Sequence, residues 1–307
     1  MDNQQRLKNL AVPEHMVDVI LDTDAYNEID DQFAIAYLLK SNEKLNTKAL
    51  YAAPFLNSRS ASPEDGMEKS YNEINKILKI MGKNAAVFKG SDKFLDSETA
   101  PVSSPAAIDL CKRAKNYSPQ NPLYIVAIGA ITNIASALLL SPEISENIVI
   151  VWLGGHARHF HDTREFNMEH DIAAARVVMN SGAPFVQLPC YGVVSHFTIS
   201  KPELERWFIG KNKLCDYLAS STISEVEKYS KNEFWSRCIW DVAAVAWLLN
   251  DNNRFMLSRL ERAMLPTYDF QYTNSSSNHV IQYVYYIKRD KLLNDLILSL
   301  QIFKFNN

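Results

Sequence analysis

The sequence predicts an α/β fold: an open, mostly parallel twisted sheet with helices on both faces. Short apolar runs rich in β-branched residues alternate along the chain with longer segments that carry apolar residues at helical spacing. This alternation is typical of parallel sheets, because parallel strands need a crossover connection that is usually a helix. No change in composition marks a linker, so residues 1–307 are expected to form a single domain.

Strand candidates in the first half of the chain are followed by polar residues or by glycine. The first leads into a helix that reaches about Lys40, and a helix predicted over 71–81 ends at Gly82. A later helix begins near Thr132 or Asn133, either of which can cap it. Two polar, proline-containing segments are predicted as loops, the second as a mobile flap. The strand candidates are 17–21, 49–53, 85–90 and 123–128, and the loops are 58–69 and 91–106.

The second half of the chain continues the same alternation and ends with a strand and a helix. Glycines follow several strand candidates, where a bound ligand needs close approach of the backbone. In chain order, the predicted elements are a strand over 148–153, a helix over 172–181, a strand over 184–188, a largely helical segment over 201–249, a strand over 278–286 and a helix through 302.

Composition excludes several classes of protein. The 32 Lys and Arg residues against 35 Asp and Glu give a net charge of −3, and no basic track predicts nucleic acid as a partner. No apolar run is long enough to span a bilayer, and the first residues lack the apolar core of a signal peptide. The four cysteines have no CxxC spacing, which favours reduced thiols. We therefore expect a cytoplasmic protein with no membrane partner.

Four aspartates follow the first strand candidate and dominate the charge pattern: Asp22, Asp24, Asp30 and Asp31. They lie on the predicted turn between a strand and a helix, at the carboxyl end of the strand, where open α/β sheets bind their ligands. Clustered carboxylates repel one another unless a cation joins them, and a set of oxygen ligands favours Ca²⁺ or Mg²⁺. The alternative is a solvated turn in which one aspartate caps the helix.

Two further segments contain candidate functional side chains. Asp241 opens an Ala-rich helix, where its carboxylate can cap the helix and also face a cavity, and Trp240 beside it can stack on a planar ligand or pack in the core. Glu165 and Asn167 are predicted to project to the same side of an extended segment, where a carboxylate and an amide suit sugar hydroxyls. The histidines before them lack zinc-ligand spacing.

These motifs resemble the inosine-uridine-type nucleoside hydrolases, which cleave the N-glycosidic bond of ribonucleosides around a bound Ca²⁺ on a Rossmann-like fold. The resemblance lies in segments that occur in the family's order from about residue 17 to about residue 250. They are Asp22-Thr-Asp24, Asp30-Asp31 before a helix, Asn57 after the second strand, Ile128-Gly-Ala-Ile-Thr-Asn133, Gly154-Gly155 leading to Glu165-Phe-Asn167, and Asp241.

The resemblance implies a role for each site residue. Asp24, Asp31, Asp241 and the backbone carbonyl of Ile128 would bind Ca²⁺, and Asp24 would also be the general base for a water molecule. The ribose hydroxyls would be bound by Asp30, Asn57, Glu165 and Asn167. It also implies a homodimer or homotetramer.

The chain departs from the family pattern at three places. The turn 25–29 is two residues longer than the family's Pro-Gly turn. The loop before Glu165 lacks a ribose-binding Asn, for which Arg158 or His159 are candidate substitutes. Trp240 replaces a His that protonates the leaving base, as in the purine-preferring branch, where two aromatic rings sandwich the base. The candidates for the second ring are Phe94, Phe160 and Trp235.

Two other functions compete with purine-nucleoside hydrolysis. One is a non-catalytic nucleoside or sugar binder that retains the metal site, since Trp240 cannot act as an acid. The other is a haloacid-dehalogenase-type phosphatase with Asp22 and Asp24 as nucleophile and acid. The phosphatase also needs a later Ser or Thr, a Lys and a second acidic pair at strand ends, and the sequence lacks that order.

Overall fold

A single large sheet forms the centre of the protein. The computed structural model describes residues 1–230, 233–273 and 279–301. The strands in these ranges are β1 (Val17–Thr23), β2 (Leu45–Ala52), β3 (Val87–Lys89), β4 (Leu123–Ala127), β5 (Ile148–Leu153), β6 (Phe185–Leu188), β7 (Thr198–Ser200), β8 (Ser236–Cys238), β9 (Met256–Arg262), β10 (Leu265–Pro266), β11 (Tyr272–Thr273) and β12 (Val280–Ile287). Eight of these described strands form the sheet, in the order β3-β2-β1-β4-β5-β6-β12-β9.

Helices connect the strands of this sheet. Those in the described ranges are α1 (Asn3–Asn9), α2 (Asp31–Lys40), α3 (Pro63–Met81), α4 (Pro105–Ala114), α5 (Thr132–Leu140), α6 (Phe166–His170), α7 (Ile172–Asn180), α8 (Lys201–Trp207), α9 (Lys213–Val226), α10 (Val242–Trp247) and α11 (Arg289–Gln301). Short 3-10 helices lie at Pro142–Glu146, Val194–His196 and Asp251–Asn253.

The sheet has a buried apolar layer on each face. In β1, Val19 and Leu21 pack with α2, α3 and α10 on one face, whereas Ile20 packs with α4, α5 and α7 on the other. Such alternation places successive side chains of a strand on opposite faces. A sheet covered on both faces needs strands that are apolar throughout, as β4 and β5 are. The predicted α/β class with helices on both faces is confirmed.

The strand order locates the site. From β1 the chain extends the sheet to β2 and β3 on one side, then returns to add β4, β5 and β6 on the other. All adjacent pairs are parallel except β12 with β9, so the carboxyl ends of the parallel strands lie at one edge. The gap between β1 and β4, where the direction of winding changes, is where such sheets bind ligands.

Several predicted boundaries are wrong. The segment 58–69 is a loop only in its first part, because α3 begins at Pro63 with Ser62 accepting a hydrogen bond from the backbone N–H of Asp65. Likewise α4 begins at Pro105, inside the predicted loop 91–106. Neither Thr132 nor Asn133 caps α5, because both side chains bond elsewhere in the fold.

The end of the chain follows the prediction, with three strands added, β9, β10 and β11. The tail strand and the closing helix correspond to β12 and α11, while Asn278 and Ile302, the predicted outer limits, lie outside the described residues. The antiparallel edge strand β9 was not predicted. No helix among the described residues is long and apolar enough to cross a membrane. The single-domain assignment stays a prediction.

Candidate catalytic and metal site

A cleft of about 710 Å³ lies at the carboxyl ends of β1, β4, β5 and β6. Its walls come from segments far apart in the chain, and most of them carry polar side chains. The lining residues are Asp24, Asn27, Glu28, Asp30, Asp31, Ile128, Leu153, His156, Arg164, Glu165, Phe166, Asn167, Cys190, Tyr191, Trp240 and Asp241. Every predicted site residue except Asn57 is among them. The structure thus brings together in one cavity residues that the sequence separates by more than two hundred positions.

Four buried carboxyl groups line this cleft, those of Asp24, Asp30, Asp31 and Asp241. Carboxylate oxygens of Asp30, Asp31 and Asp241 lie within 4.8 Å of one another. Asp31 interacts electrostatically with both Asp24 and Asp241. The backbone N–H of Asp241 donates to Oδ2 of Asp30 over 3.4 Å, which joins the turn after β1 to the start of α10. Asp241 therefore holds the N-cap position of α10 without a side-chain capping bond, contrary to the predicted capping role.

Burial makes it costly to ionise all four of these groups. It raises the pKa of Asp30 to about 8, an effect reinforced by Glu28, and raises the pKa of Asp31 to about 6 against a hydrogen bond from Thr23. Burial and the neighbouring carboxylates raise the pKa of Asp24 and of Asp241 well above the ordinary range for aspartate. The main cause is that burial removes the charged form from water, and repulsion between neighbouring carboxylates adds to it.

The cluster fits a hard cation. Oδ2 of Asp24 is buried with no hydrogen-bond partner among the described residues, and the surrounding ligand atoms are all oxygens. Carboxylate and carbonyl oxygens are the ligands that Ca²⁺ and Mg²⁺ take. Ile128 lines the same cleft, and its carbonyl accepts one hydrogen bond, from Nδ2 of Asn167 at 3.2 Å, so a lone pair remains.

Asp22 lies on the strand that leads to the cluster, two residues before Asp24. It lies within β1, not on the turn as predicted, and is fully buried. Nδ2 of Asn133 donates to Oδ1 of Asp22 at 2.7 Å, while Oδ1 of Asn133 accepts from the backbone N–H of Ser91 at 2.8 Å. Burial raises the pKa of Asp22 to about 7. Asn133 thus ties β1, which leads to Asp24, to the loop after β3.

The longer turn 25–29 is held at three points by side chains outside it. Nε2 of Gln32 donates to the carbonyl of Ala25 at 2.7 Å. The guanidinium of Arg237 forms an ion pair with Glu28. Nδ2 of Asn57 donates to Oδ1 of Asn27 at 2.6 Å, and Asn27 lines the cleft while Asn57 does not. Asn57 therefore reaches the cleft wall through Asn27 on the longer turn, and its contact with the ribose stays a prediction.

The prediction that Glu165 and Asn167 share an extended segment is wrong, because helix α6 begins at Phe166. Glu165 is the N-cap of that helix, and its carboxylate accepts from the backbone N–H groups of Gly155, Asn167 and Met168 at 2.9 to 3.1 Å. Asn167 donates from Nδ2 to the carbonyl of Leu153 at 2.9 Å. Both side chains still line the cleft, so α6 presents a fixed carboxylate and a fixed amide oxygen there.

Trp240 and Tyr191 form an aromatic corner in the cleft wall. Their ring centroids are 5.6 Å apart with planes at 89°. None of the three predicted candidates for the second aromatic ring lines the cleft: Phe94, Phe160 and Trp235. Phe160 instead stacks behind Tyr191, with a centroid distance of 6.1 Å.

His156, Arg164 and Tyr191 are cleft residues that the sequence predictions missed. Of the candidate ribose-binding substitutes, Arg158 forms an ion pair with Glu261, and neither it nor His159 lines the cleft. Tyr191 could have been predicted from its position, since it lies three residues after the strand predicted over 184–188 and directly before Gly192. Arg164 directly precedes the Glu165-Phe-Asn167 motif, which was the corresponding signal for it.

Comparison with protein families identifies this arrangement. The family model of the inosine-uridine preferring nucleoside hydrolases matches residues 19–280, which is most of the chain. The chain belongs to this family. The resemblance drawn from the aspartate motifs is confirmed, and so is the predicted class of enzyme, an N-glycosyl hydrolase of ribonucleosides.

Among characterised relatives, the chain is similar to the non-specific ribonucleoside hydrolase RihC of Salmonella typhimurium. The two sequences are 29% identical over 251 residues, which cover 75% of this chain and 78% of the relative.

Solved structures of nucleoside hydrolases share the fold. An inosine-guanosine nucleoside hydrolase superposes with a TM-score of 0.76 and 15% identity, covering 94% of this chain and 99% of that one. A purine-preferring ribonucleoside hydrolase from Gardnerella vaginalis gives 0.70 and 19%, covering 92% and 98%. At these identities the superpositions establish the fold alone.

Proposed function

We propose that this nucleoside hydrolase depends on Ca²⁺ and prefers purine ribonucleosides, releasing the free base and ribose. The observation that carries the proposal is that one cleft holds both the buried carboxyl groups of Asp24, Asp30, Asp31 and Asp241 and the aromatic corner. The carboxylates suit a divalent cation and a sugar, and the aromatic corner suits a flat base.

Asp24, Asp31, Asp241 and the carbonyl of Ile128 would hold the cation. Carboxylate oxygens of Asp30, Asp31 and Asp241 all lie within 4.8 Å of one another, so Asp30 is a further ligand candidate besides its predicted contact with ribose. When bound, the ion would supply the positive charge that keeps these carboxylates ionised and would acidify a water molecule beside the sugar.

Asp24 is suited to be the general base. Oδ2 has no hydrogen-bond partner among the described residues, so it is free to accept a proton from water once a cation keeps the group ionised. It would take a proton from water as the water oxygen bonds to the anomeric carbon and the N-glycosidic bond breaks. The positive charge that develops on the ribose ring is then stabilised by the carboxylates around it.

Polar groups that face the cleft would bind the ribose hydroxyls. Glu165 is held by three backbone N–H groups and Asn167 by two carbonyls, so neither needs to reorganise when a sugar binds. Asn27, on the longer turn, and Asp30, directly after it, line the same cleft. Asn57 supports this set through its hydrogen bond to Asn27.

The aromatic corner supports the purine preference. Trp240 offers a flat face to a base, and Tyr191 meets it edge-on, so a bicyclic purine gains more contact with the pair than a pyrimidine does. His156, the histidine in the cleft, is engaged at both ring nitrogens: Nε2 lies 3.1 Å from the carbonyl of Arg164, and Nδ1 accepts from the N–H of Tyr191 at 3.4 Å. Burial lowers its pKa, so it is not available as an acid for the leaving base.

The decisive experiment is a turnover screen over purine and pyrimidine ribonucleosides in calcium and in excess chelator. The wild type is expected to release ribose from purine ribosides only when calcium is present. Asp24→Ala should reduce kcat by about a thousandfold or more while the protein stays folded. Activity that survives complete removal of the metal would contradict calcium dependence, and equal rates on uridine and inosine would contradict the purine preference.

We further propose a cytoplasmic homodimer or homotetramer that acts in purine salvage. The resemblance to the family supports the oligomer, and the lack of CxxC spacing among the four cysteines supports a reducing compartment. Light scattering coupled to gel filtration measures the oligomer directly. A monomer at micromolar concentration would contradict this proposal.

A further inference from the structure

The turn 25–29 separates two clefts. Asn27 and Glu28 line the catalytic cleft, whereas Tyr26, Glu28 and Ile29 line a second cleft of about 760 Å³. An element with open space on two sides has less packing to hold it than a core element has. Side chains outside the turn therefore help to determine where it lies, and with it the aspartates that follow.

The guanidinium of Arg237, on β8, forms an ion pair with Glu28. The side chain of Arg237 is 23% exposed, and its Nε is buried without a hydrogen-bond partner among the described residues. Burial lowers the pKa of Arg237, but the nearby carboxylates of Glu28 and Asp30 raise it above the ordinary value for arginine. The guanidinium therefore lies close to the carboxylates at the end of the turn 25–29.

The backbone around Arg237 is fixed by a small antiparallel sheet. In this sheet β8 pairs with β7, which places Arg237 opposite Ile199, a fully buried core residue. Directly after β8, the backbone N–H of Ile239 donates to the carbonyl of Phe197 at 3.0 Å. Arg237 is thus a cation at a defined position, and its ion pair restrains Glu28 relative to β8.

Arg237 and Asp241 belong to the same segment of the chain, which leads from β8 into α10. The backbone N–H of Asp241 donates to Oδ2 of Asp30 over 3.4 Å. That bond is long, so it restrains the distance between this segment and the turn only weakly. Of the three side chains described above that hold the turn, Gln32 and Asn57 come from α2 and from the loop after β2. Arg237 is the one that comes from the segment of Asp241.

We propose that Arg237 is a positioning residue, whose ion pair with Glu28 fixes the distance between the turn 25–29 and the segment that carries Asp241. This inference rests on the proposed calcium-dependent function. Arg237 is not among the described residues that line the catalytic cleft, so it acts through Glu28 and not on the cation or the substrate. A cation requires its oxygen ligands at defined distances, and a turn that can shift away from Asp241 therefore lowers the affinity for the ion.

The charge of Arg237 and its positioning role predict opposite effects on the binding of calcium. Arg237→Met removes a positive charge close to carboxylates, which by charge alone strengthens the binding of Ca²⁺. The same substitution removes the restraint on the turn, which weakens the binding. We expect the second effect to prevail, so that the Kd for Ca²⁺ rises about tenfold, as when other residues that orient metal ligands are changed.

Isothermal titration calorimetry of the metal-free proteins with Ca²⁺ measures this effect. Glu28→Gln keeps the size of the side chain but breaks the ion pair, so it should also raise the Kd about tenfold. The double variant should lose little more than either single variant, because both substitutions remove one interaction. Arg237→Lys keeps a point charge that can pair with Glu28, so its Kd should stay within about threefold of the wild-type value.

Steady-state kinetics on inosine gives a second readout. In Arg237→Met and Glu28→Gln, KM should rise about fivefold, whereas kcat at saturating calcium and inosine should fall about threefold or less, because bound ligands hold the turn in place. A general loss of structure would instead lower kcat as well, since it reduces the fraction of active enzyme.

Arg176 provides a matched control. Its side chain is 22% exposed and forms an ion pair with Glu98 at 2.7 Å, but neither residue lines the catalytic cleft. Arg176→Met should leave both the Kd for Ca²⁺ and the KM for inosine unchanged.

Either of two results would overturn the inference: tighter binding of Ca²⁺ in Arg237→Met, or a Kd equal to that of the wild type. If Arg237→Met does not fold, Glu28→Gln decides, because Glu28 is 41% exposed and its substitution leaves no cavity. A wild-type Kd in Glu28→Gln then overturns the inference. A wild type that binds no Ca²⁺ would instead defeat the proposed function. A wild type that binds Ca²⁺ and hydrolyses inosine, with Arg237 variants that match it, defeats only the role of Arg237.

Discussion

Nδ2 of Asn57 donates a hydrogen bond to Oδ1 of Asn27, with 2.6 Å between the two atoms. The orientation of the Asn57 amide is set by the backbone N–H of Arg59, which donates to its Oδ1 at 2.8 Å. Oδ1 of Asn27 is therefore occupied, and its Nδ2, which has no partner among the described residues, remains for the cleft. Asn57 thus acts on the cleft through a residue of the longer turn.

This relationship predicts that Asn27 and Asn57 behave as one unit. Asn27→Ala removes the donor in the cleft, and Asn57→Ala releases the amide that orients it, so each should lower kcat/KM for inosine about fivefold to tenfold. The double variant should lose little more than either single variant, because both substitutions remove the same interaction. Steady-state kinetics on the three variants measure this. Asn72→Ala, at an exposed position of α3, is the control, and fully additive losses would contradict the coupling.

The sequence was sufficient for the regular parts of the fold. Strands such as 148–153 are recognisable because a strand buried on both faces is apolar throughout, and the structure has Ile148–Leu153. Other elements were hidden by their composition. The start of α3 at Ser62-Pro63-Glu64-Asp65 consists of good N-terminal helix residues that also suit a loop, and β9 carries Arg259, Glu261 and Arg262 because it is an edge strand.

The site was predictable where strand ends determine it and unpredictable where distant loops meet. Asp24 and Ile128 directly follow the adjacent parallel strands β1 and β4, so strand pairing alone brings them near each other. The contact of Asn27 with Asn57 and the approach of Tyr191 to Trp240 depend on loop conformations that local patterns do not encode. The extra length of the turn 25–29 indicated where the contact between Asn27 and Asn57 lies, but it did not indicate which residues would form it.

Metal removal should destabilise the protein more at high pH than at low pH. Burial raises the pKa of Asp30 to about 8 and of Asp31 to about 6, so without metal the folded state holds protons that the unfolded chain has released. The free energy of unfolding of the metal-free protein should then fall as pH rises from about 4 to about 8, by at most about 1.4 kcal/mol per pH unit for each group.

Thermal unfolding with calcium and with chelator, from about pH 5 to about pH 8, tests this dependence. Calcium binds the ionised carboxylates, so the increase in Tm that it produces should grow as pH rises. Asp241→Asn should abolish most of that increase, whereas Asp92→Asn, at an exposed position, should retain it. An increase that is constant or shrinks with pH would contradict the assignment of the cation to these carboxylates.

Asp24 leaves little space for a side chain at Gly129. A Cβ at position 129 would lie 3.0 Å from Cγ of Asp24 and 3.2 Å from Cβ of Ala53, and β4 fixes the backbone just before it. Gly129→Ala should therefore displace Asp24 and lower kcat by about tenfold to a hundredfold, since small errors in the position of a catalytic group have large effects. The fall in kcat should appear at saturating calcium and inosine. A variant with wild-type kcat would show that Asp24 can shift to make room for the methyl group without any loss of activity.

The aromatic corner gives the last prediction, which separates stacking from acid catalysis. Tyr191 lies edge-on to Trp240 in the cleft, so it contributes either its ring or its hydroxyl to the leaving base. If the ring acts, Tyr191→Phe should keep kcat/KM for inosine within about threefold of the wild type, while Tyr191→Ala and Trp240→Ala should lower it by about tenfold or more. The losses should be smaller for uridine, whose single ring contacts the corner less. A large fall in kcat for Tyr191→Phe, with loss of the basic limb of the pH profile, would instead identify the hydroxyl as the acid that protonates the base.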